Sequence, residues 1–316
     1  MTSLITGMAG FAGQHLAALL RESGEECAGF DYEVSSGHEN SAGPDSACRR
    51  LDILDARALD SLVAELQPKR IFHLAAQSGV GSSWAHPEDT FRINVIGTLN
   101  LLDAVERYAP GARLLLVSTG EVYGRPRPDG RPLSEADDPE PQNPYALSKL
   151  AAELYAMLYH RLHNLDVIRV RPQGHTGPGQ ARGFVTPDFV SQIIAIEKGS
   201  QAPVMRVGNL SARREFMDVR DVVRAYILLM QNGKAGEVYN IAGGTLYSVR
   251  EMLDLLLELS GLDVRVEVDA ERLRPADMPP LELDASRLAD LTGWNPEYDL
   301  RRTLIELMER SRAAPA

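Results

Sequence analysis

Through its first half the chain alternates short apolar runs with longer stretches in which apolar residues recur every three or four positions. Residues 3–6 form the first run, and a helical pattern follows to about Leu20. A second strand over residues 26–30 ends at Asp31. Residues 33–46 are polar and rich in Ser and Gly, which predicts a surface loop. Residues 51–53 read as a strand end, 55–66 as a helix closed by Pro68, and 70–74 as a buried strand. Over residues 89–108, Phe91, Val95, Leu99, Leu102 and Val105 mark one face of a single helix, with Asn94 near the ligand edge of the sheet. The clearest strand is 113–117; a proline-rich loop, 125–144, then leads into a helix over 145–163. Strands alternating with helices in this way build a parallel, doubly wound sheet.

Past Val167 the pattern loosens. Residues 167–170 form another strand, and the Gly- and Pro-rich stretch 171–179 breaks regular structure. Helices over 187–198, 219–231 and 248–260 alternate with short strands that include 238–241 and 264–268. The expected fold is α/β: a Rossmann-type doubly wound parallel sheet in residues 1–170 and about 215–245, with a smaller C-terminal α/β substrate lobe from 171–214 and 246–316.

Composition narrows the function classes. Of 316 residues 44% are hydrophobic and 24% charged, as in ordinary globular enzymes. With 33 basic against 44 acidic side chains the net charge is −11, which argues against a nucleic-acid binder. The two cysteines, Cys27 and Cys48, read as reduced thiols rather than a disulfide framework. No apolar run approaches the ~18 residues of a membrane span, and Met1-Thr2-Ser3 leaves no room for a charged leader. A cytoplasmic location, no membrane contact and no nucleic-acid partner are therefore expected, and no metal site is assigned.

Gly7, Gly10 and Gly13, three apart between the first strand and helix, form the opening of a dinucleotide site. Gly7 serves the turn, Gly10 lets the backbone approach a pyrophosphate, and Gly13 lets helix and strand pack closely. Phe11 and Ala12 sit at the helix start, where unpaired N–H groups favour an anion. Asp31 falls about 20 residues past the glycines, where a carboxylate accepts from the adenosine ribose and repels a 2′-phosphate. NAD(H) is favoured; NADP(H) stays open. Trp84 reads as a packing residue.

Tyr145 and Lys149, four apart, share a helix face, and Thr119 ends the strand at the ligand edge. A phenol in water ionises near pH ~10, and an adjacent ammonium is expected to lower that value into a range useful for proton transfer. A tuned acid for an oxygen and a cofactor for a hydride are the two needs of carbonyl reduction.

Thr6-Gly7-x-x-Gly10-x-x-Gly13, Leu74-Ala75-Ala76, Ser118-Thr119 and Tyr145-x-x-x-Lys149 resemble the extended short-chain dehydrogenase/reductase family of nucleotide-sugar enzymes, over nearly the whole chain. Leu74 to Trp84, Gly183 to Phe189, Val207 to Leu210 and Leu273-Arg274-Pro275 are similar to the GDP-mannose branch, which includes 4,6-dehydratases and GDP-4-keto-6-deoxy-mannose reductases; the reductases are the closest likeness. The resemblance implies Thr119, Tyr145 and Lys149 as catalytic residues. It implies Asp52 and Ile53 at the adenine, and Leu74, Ala75 and Ala76 beside the cofactor phosphates. It places Ser78, Ser83, Gly174 and Val185 toward the substrate, and Asn209, Arg214 and Arg274 on the nucleoside diphosphate. Glu121 matches the dehydratase base, which reductases also keep. Asp31-Tyr32-Glu33 stands where dehydratases of the branch carry an arginine pair, which leans toward a reductase. Gly174 replaces a usual asparagine and removes an expected polar contact to the sugar. The family pairs helices 89–108 and 145–163 in a homodimer, with Leu150, Leu154, Met157 and Leu158 available. A 4,6-dehydratase, a UDP-sugar epimerase and a non-catalytic cofactor-binding sensor or scaffold remain alternatives.

Overall fold

The computed structural model describes residues 2–33, 48–272 and 279–313. Its first half runs β1 (Ser3–Thr6), α1 (Phe11–Glu22), β2 (Cys27–Asp31), β3 (Cys48–Arg50), α2 (Ala56–Leu66), β4 (Arg70–His73), α3 (Val80–Ala85) and α4 (Pro87–Phe91). A π-helical turn (Arg92–Ile96) leads into α5 (Gly97–Tyr108), then β5 (Arg113–Val117), a 3-10 turn (Gly120–Tyr123), α6 (Pro144–His163) and β6 (Asp166–Pro172). The second half holds β7 (His175–Thr176), α7 (Val185–Glu197), β8 (Val204–Val207), β9 (Arg213–Glu215), β10 (Met217–Asp218), α8 (Val219–Asn232) and β11 (Val238–Ile241). β12 (Leu246–Ser248), α9 (Val249–Ser260), β13 (Arg265–Val268), α10 (Ser286–Thr292) and α11 (Leu300–Ala313) complete it.

Seven strands form one parallel sheet in the order β11-β6-β5-β4-β1-β2-β3. Strand order reverses between β1 and β4, and Thr6 pairs in register with His73, so both strands end at the same level and open a crevice there. Alternation along each strand fills two cores. Leu4, Ile71, Leu114 and Val167 face Leu59, Leu101, Val105 and Ala152 of α2, α5 and α6, whereas Ile5, Phe72, Leu115 and Ile168 face Leu16, Leu20, Val222 and Tyr226 of α1 and α8. A third core joins Phe189, Ile193, Met205, Leu253, Leu304 and Leu307 from α7, β8, α9 and α11.

Three local expectations change. The helix expected over 89–108 is broken by the π turn, which carries Asn94 and Val95 inward. The third strand lies at Cys48–Arg50, just before the predicted strand end. The short pairs β7 with β10 and β9 with β12 gave no periodic signal, being two or three residues long, whereas the strand expected over 264–268 is present as β13 and pairs with β8. Of the predicted loop 33–46, all but Glu33 lies outside the described residues. Cys27 and Cys48 are free thiols. Among the described residues no helix is long and apolar enough to cross a membrane.

Candidate active site

The crevice is floored by the glycine turn. Gly7 adopts φ +72°, and a Cβ there would lie 2.9 Å from the Ala75 nitrogen; one on Gly13 would lie 2.1 Å from the Gly7 carbonyl oxygen. The turn is thus pressed against both α1 and the exit of β4, with no room for side chains. Gly10 is the N-cap of α1 and brings no capping side chain. Amides of the helix's first turn are thus left without a side-chain cap, an arrangement that fits the pyrophosphate of a dinucleotide. Phe11 stacks on His175 with ring centroids 6.1 Å apart, and Ala12 is half-buried.

Asp31 ends β2 beside this turn. Its carboxylate accepts from the Tyr32 N–H at 2.8 Å; burial pushes its pKa up, and the nearby amides of Ala9 and Gly10 oppose that rise. Leu51 donates to the Asp31 carbonyl at 2.9 Å, which sets Asp52 and Ile53 next to it. Asp52 caps its own turn through the Leu54 N–H, and Ile53 is buried against Gly97. Across the crevice Leu74 and Ala75 donate to Thr6, at its carbonyl and hydroxyl respectively, and Ala76 continues the same edge.

Beyond β5 the buried Ser118 hydroxyl has no partner among the described residues, and Thr119 caps the 3-10 turn by accepting from the Glu121 N–H at 3.2 Å. Asn143, the N-cap of α6, accepts from the Ala146 N–H at 2.8 Å and donates to the Glu121 carboxylate at 2.8 Å. Pro144 at the first helical position completes this start, so Tyr145 and Lys149 enter the crevice from a fixed helix end. The Thr119 hydroxyl is a neighbour of the Tyr145 phenol and favours its ionised form.

The electrostatics differ from expectation. Burial, then the Glu121 carboxylate, push the Tyr145 phenol above its usual range, with only the Thr119 hydroxyl opposing. Lys149 is not among the groups that draw it down. Burial also brings Lys149 down to about 8, opposed by Glu153. Tyr145 is therefore a protonated phenol at neutral pH.

On the substrate side, Ser78 is exposed, but Ser83 is turned inward: fully buried, its hydroxyl donates to the Val80 carbonyl at 2.7 Å. Trp84, expected to pack, is 55% exposed and lines a groove with Phe91, Asn143 and Leu147. A Cβ on Gly174 would meet the Glu215 carbonyl oxygen at 2.6 Å. Burial raises the Glu215 carboxyl to about 7, although it accepts from the Gly243 amide and the nearby Gly244 and Thr245 amides also hold it down. Arg214 pairs with Tyr247 across β9 and β12, Asn209 accepts from Ser211, and Val185 opens α7. Arg274 lies outside the described residues.

Sequence reasoning missed Asn143, legible as an Asn-Pro helix start, and the buried Glu153–Arg171 pair, whose nitrogens lie 2.8 Å to 3.3 Å from the carboxylate. It also missed Thr6, His73 and Ser148, which hydrogen-bond around the crevice.

Residues 4–308 match the family model described as GDP-mannose 4,6 dehydratase. The chain belongs to that family. It is 35% identical to GDP-6-deoxy-D-mannose reductase of Pseudomonas aeruginosa, over 96% of this chain and 95% of the relative. The structure of RMD from Pseudomonas aeruginosa complexed with NADPH superposes with a TM-score of 0.86 at 33% identity, covering 99% of both chains. DesIV, a dTDP-glucose 4,6-dehydratase from Streptomyces venezuelae with NAD and TYD bound, gives 0.86 at 30% identity, over 99% of this chain and 97% of that one. Members of the GDP-mannose 4,6-dehydratase family and their extended short-chain dehydrogenase/reductase relatives are NAD(P)-dependent sugar-nucleotide reductases, dehydratases and epimerases, and this protein is an enzyme of that group.

Proposed function

We propose that the protein is an NAD(P)H-dependent 4-ketoreductase that converts a GDP-linked 4-keto-6-deoxy sugar, of the GDP-4-keto-6-deoxy-D-mannose type, to the corresponding GDP-D-rhamnose type product. The observation that carries this reading is the placement of Tyr145 on α6, behind the Asn143 cap, as a protonated phenol beside Thr119 at the exit of β5. A phenol held as a donor suits delivery of a proton to a carbonyl oxygen. When bound, the reduced cofactor supplies the hydride. Thr119 then holds the C4 oxygen, Tyr145 gives it a proton, and Lys149 steadies the cofactor ribose and the charge left on the phenol. Glu121 is occupied by Asn143, which fits a supporting role better than that of a free base.

In this account the cofactor lies on residues 1–170 and about 215–245, with the nucleotide sugar held by 171–214 and 246–316. Gly7, Gly10, Phe11, Ala12 and Gly13 hold the pyrophosphate, and Asp31 accepts from the adenosine ribose, favouring NAD(H). Arg214, with Arg274 and Asn209, holds the nucleoside diphosphate; guanidinium forks suit that group. Leu147, Leu154, Leu158 and Leu162 leave an apolar stripe on the outer face of α6, which supports a homodimer, whereas Leu150 packs inward. The test is consumption of reduced cofactor on addition of the keto sugar. Turnover of GDP-mannose with tightly bound oxidised cofactor would contradict the reading.

A further inference from the structure

His73 ends β4 at the level of the glycine turn and is 2% exposed. Its two ring nitrogens lie 2.8 Å from the Thr6 hydroxyl (Nδ1) and 2.8 Å from the Thr98 hydroxyl (Nε2). The directions of these bonds follow from their neighbours. The Thr98 hydroxyl oxygen sits 2.6 Å from the Asn94 carbonyl oxygen, so its one proton lies between those two oxygens and Thr98 accepts from the ring. Nε2 therefore carries a hydrogen and Nδ1 accepts. Thr6 takes the Ala75 N–H at 3.0 Å on its oxygen and gives its own proton to Nδ1. One oriented chain results: Ala75 N–H to Thr6, Thr6 to His73, His73 to Thr98, Thr98 to Asn94.

Both ends of this chain reach groups already placed in the crevice. Ala75 borders the cofactor cradle. Asn94, in the π turn, accepts from the Gln77 N–H at 2.8 Å, donates to the Gln77 carbonyl at 3.1 Å, and donates to the Ser148 hydroxyl at 2.9 Å; Ser148 in turn donates to the Tyr145 carbonyl at 2.7 Å. We propose that His73 is a positioning residue whose neutral Nε2–H tautomer sets the cofactor edge of the sheet, through Thr6, and the tyrosine helix, through Thr98 and Asn94, in one register. Burial and the facing Lys149 ammonium of α6 both disfavour the imidazolium and bring the ring's pKa down to about 3, so the chain keeps its direction at working pH. The kinetic part of the inference rests on the ketoreductase reading.

The two arms separate by substitution, since an asparagine amide reaches the Nδ1 position and a glutamine amide the Nε2 position. His73→Asn keeps an acceptor for Thr6 and loses the donor to Thr98; reduced-cofactor Kd stays within about twofold and kcat falls about tenfold, the effect of one lost buried hydrogen bond. His73→Gln keeps the donor to Thr98 and loses the acceptor for Thr6, so Kd rises about tenfold and kcat changes little. Nitrogen-15 spectra of histidine-labelled wild-type protein are expected to show a protonated Nε2 and a bare Nδ1 that do not titrate between about pH 5 and 8. An Nδ1–H tautomer, titration within that range, or two variants that lower stability alike with the same kinetic change would overturn the proposal. Spectra and cofactor titrations need no turnover, so a wild-type protein inactive on the keto sugar would count against the proposed function and leave this inference to be decided by those two measurements.

Discussion

Gly174 and Glu215 meet through backbone: a Cβ at Gly174 would lie 2.6 Å from the Glu215 carbonyl oxygen, and Met217 donates its N–H to the Gly174 carbonyl at 3.0 Å. Gly174 is therefore a site of close approach between the loop after β6 and the strand that carries Arg214, and not simply a missing contact. An asparagine here must displace β9. Gly174→Asn is expected to raise the KM for the nucleotide sugar about tenfold, with cofactor KM within about twofold. Steady-state kinetics in both substrates checks this.

A buried ammonium near its ionisation point gives the enzyme an alkaline limit. Lys149 is charged below about 8 and neutral above it, so kcat/KM should fall as pH rises through that value. Glu153 holds the lysine's pKa up; Glu153→Gln moves the limb to lower pH. The same change leaves Arg171 buried without its partner and should cost about 3–5 kcal/mol of stability. Paired pH–rate profiles and denaturation curves measure both effects.

Asp31 faces the amides of Ala9 and Gly10 and would oppose a phosphate on the adenosine ribose. Replacing it by serine removes that charge and shortens the side chain. Asp31→Ser should tighten NADPH about tenfold and weaken NADH by a similar factor. Fluorescence titration with each reduced cofactor reads the two shifts, and wild-type protein that prefers NADPH would contradict the assignment.

The outer face of α6 exposes Leu154 by 61% and Leu162 by 66%, on the same side as Leu147 and Leu158. Such a stripe is stabilised by a second copy. Wild-type protein is expected to sediment as a dimer and Leu154→Asp, Leu158→Asp as a monomer with its fold retained. A monomeric wild type would overturn the dimer.

The parallel sheet was legible because each strand is a compact apolar run and each helix carries one apolar face, as with Leu114 and Leu115 facing opposite cores. That Tyr145 and Lys149 share a helix face was legible for the same reason, since four residues make about one helical turn. What local pattern could not supply was burial. It raises the Tyr145 phenol that was expected to be lowered, and it sets Ser83 inside and Trp84 outside. Nor could it show the π turn at Arg92–Ile96, where one stretch of helical spacing conceals the extra residue that carries Asn94 inward. The constraint on Gly174 escapes local pattern because it comes from a carbonyl 41 positions away in the chain (215 − 174).

The most direct test of the ketoreductase reading follows the hydrogen itself. Reduced cofactor carrying deuterium at the transferable position is incubated with GDP-4-keto-6-deoxy-mannose, and the product sugar is read by mass spectrometry and NMR. The account predicts one deuterium at C4 of a GDP-6-deoxyhexose for each cofactor oxidised, and loss of that label transfer by about 10²–10⁴-fold in Tyr145→Phe. A product without deuterium at C4, or dehydration of GDP-mannose with no net cofactor oxidation, would contradict it.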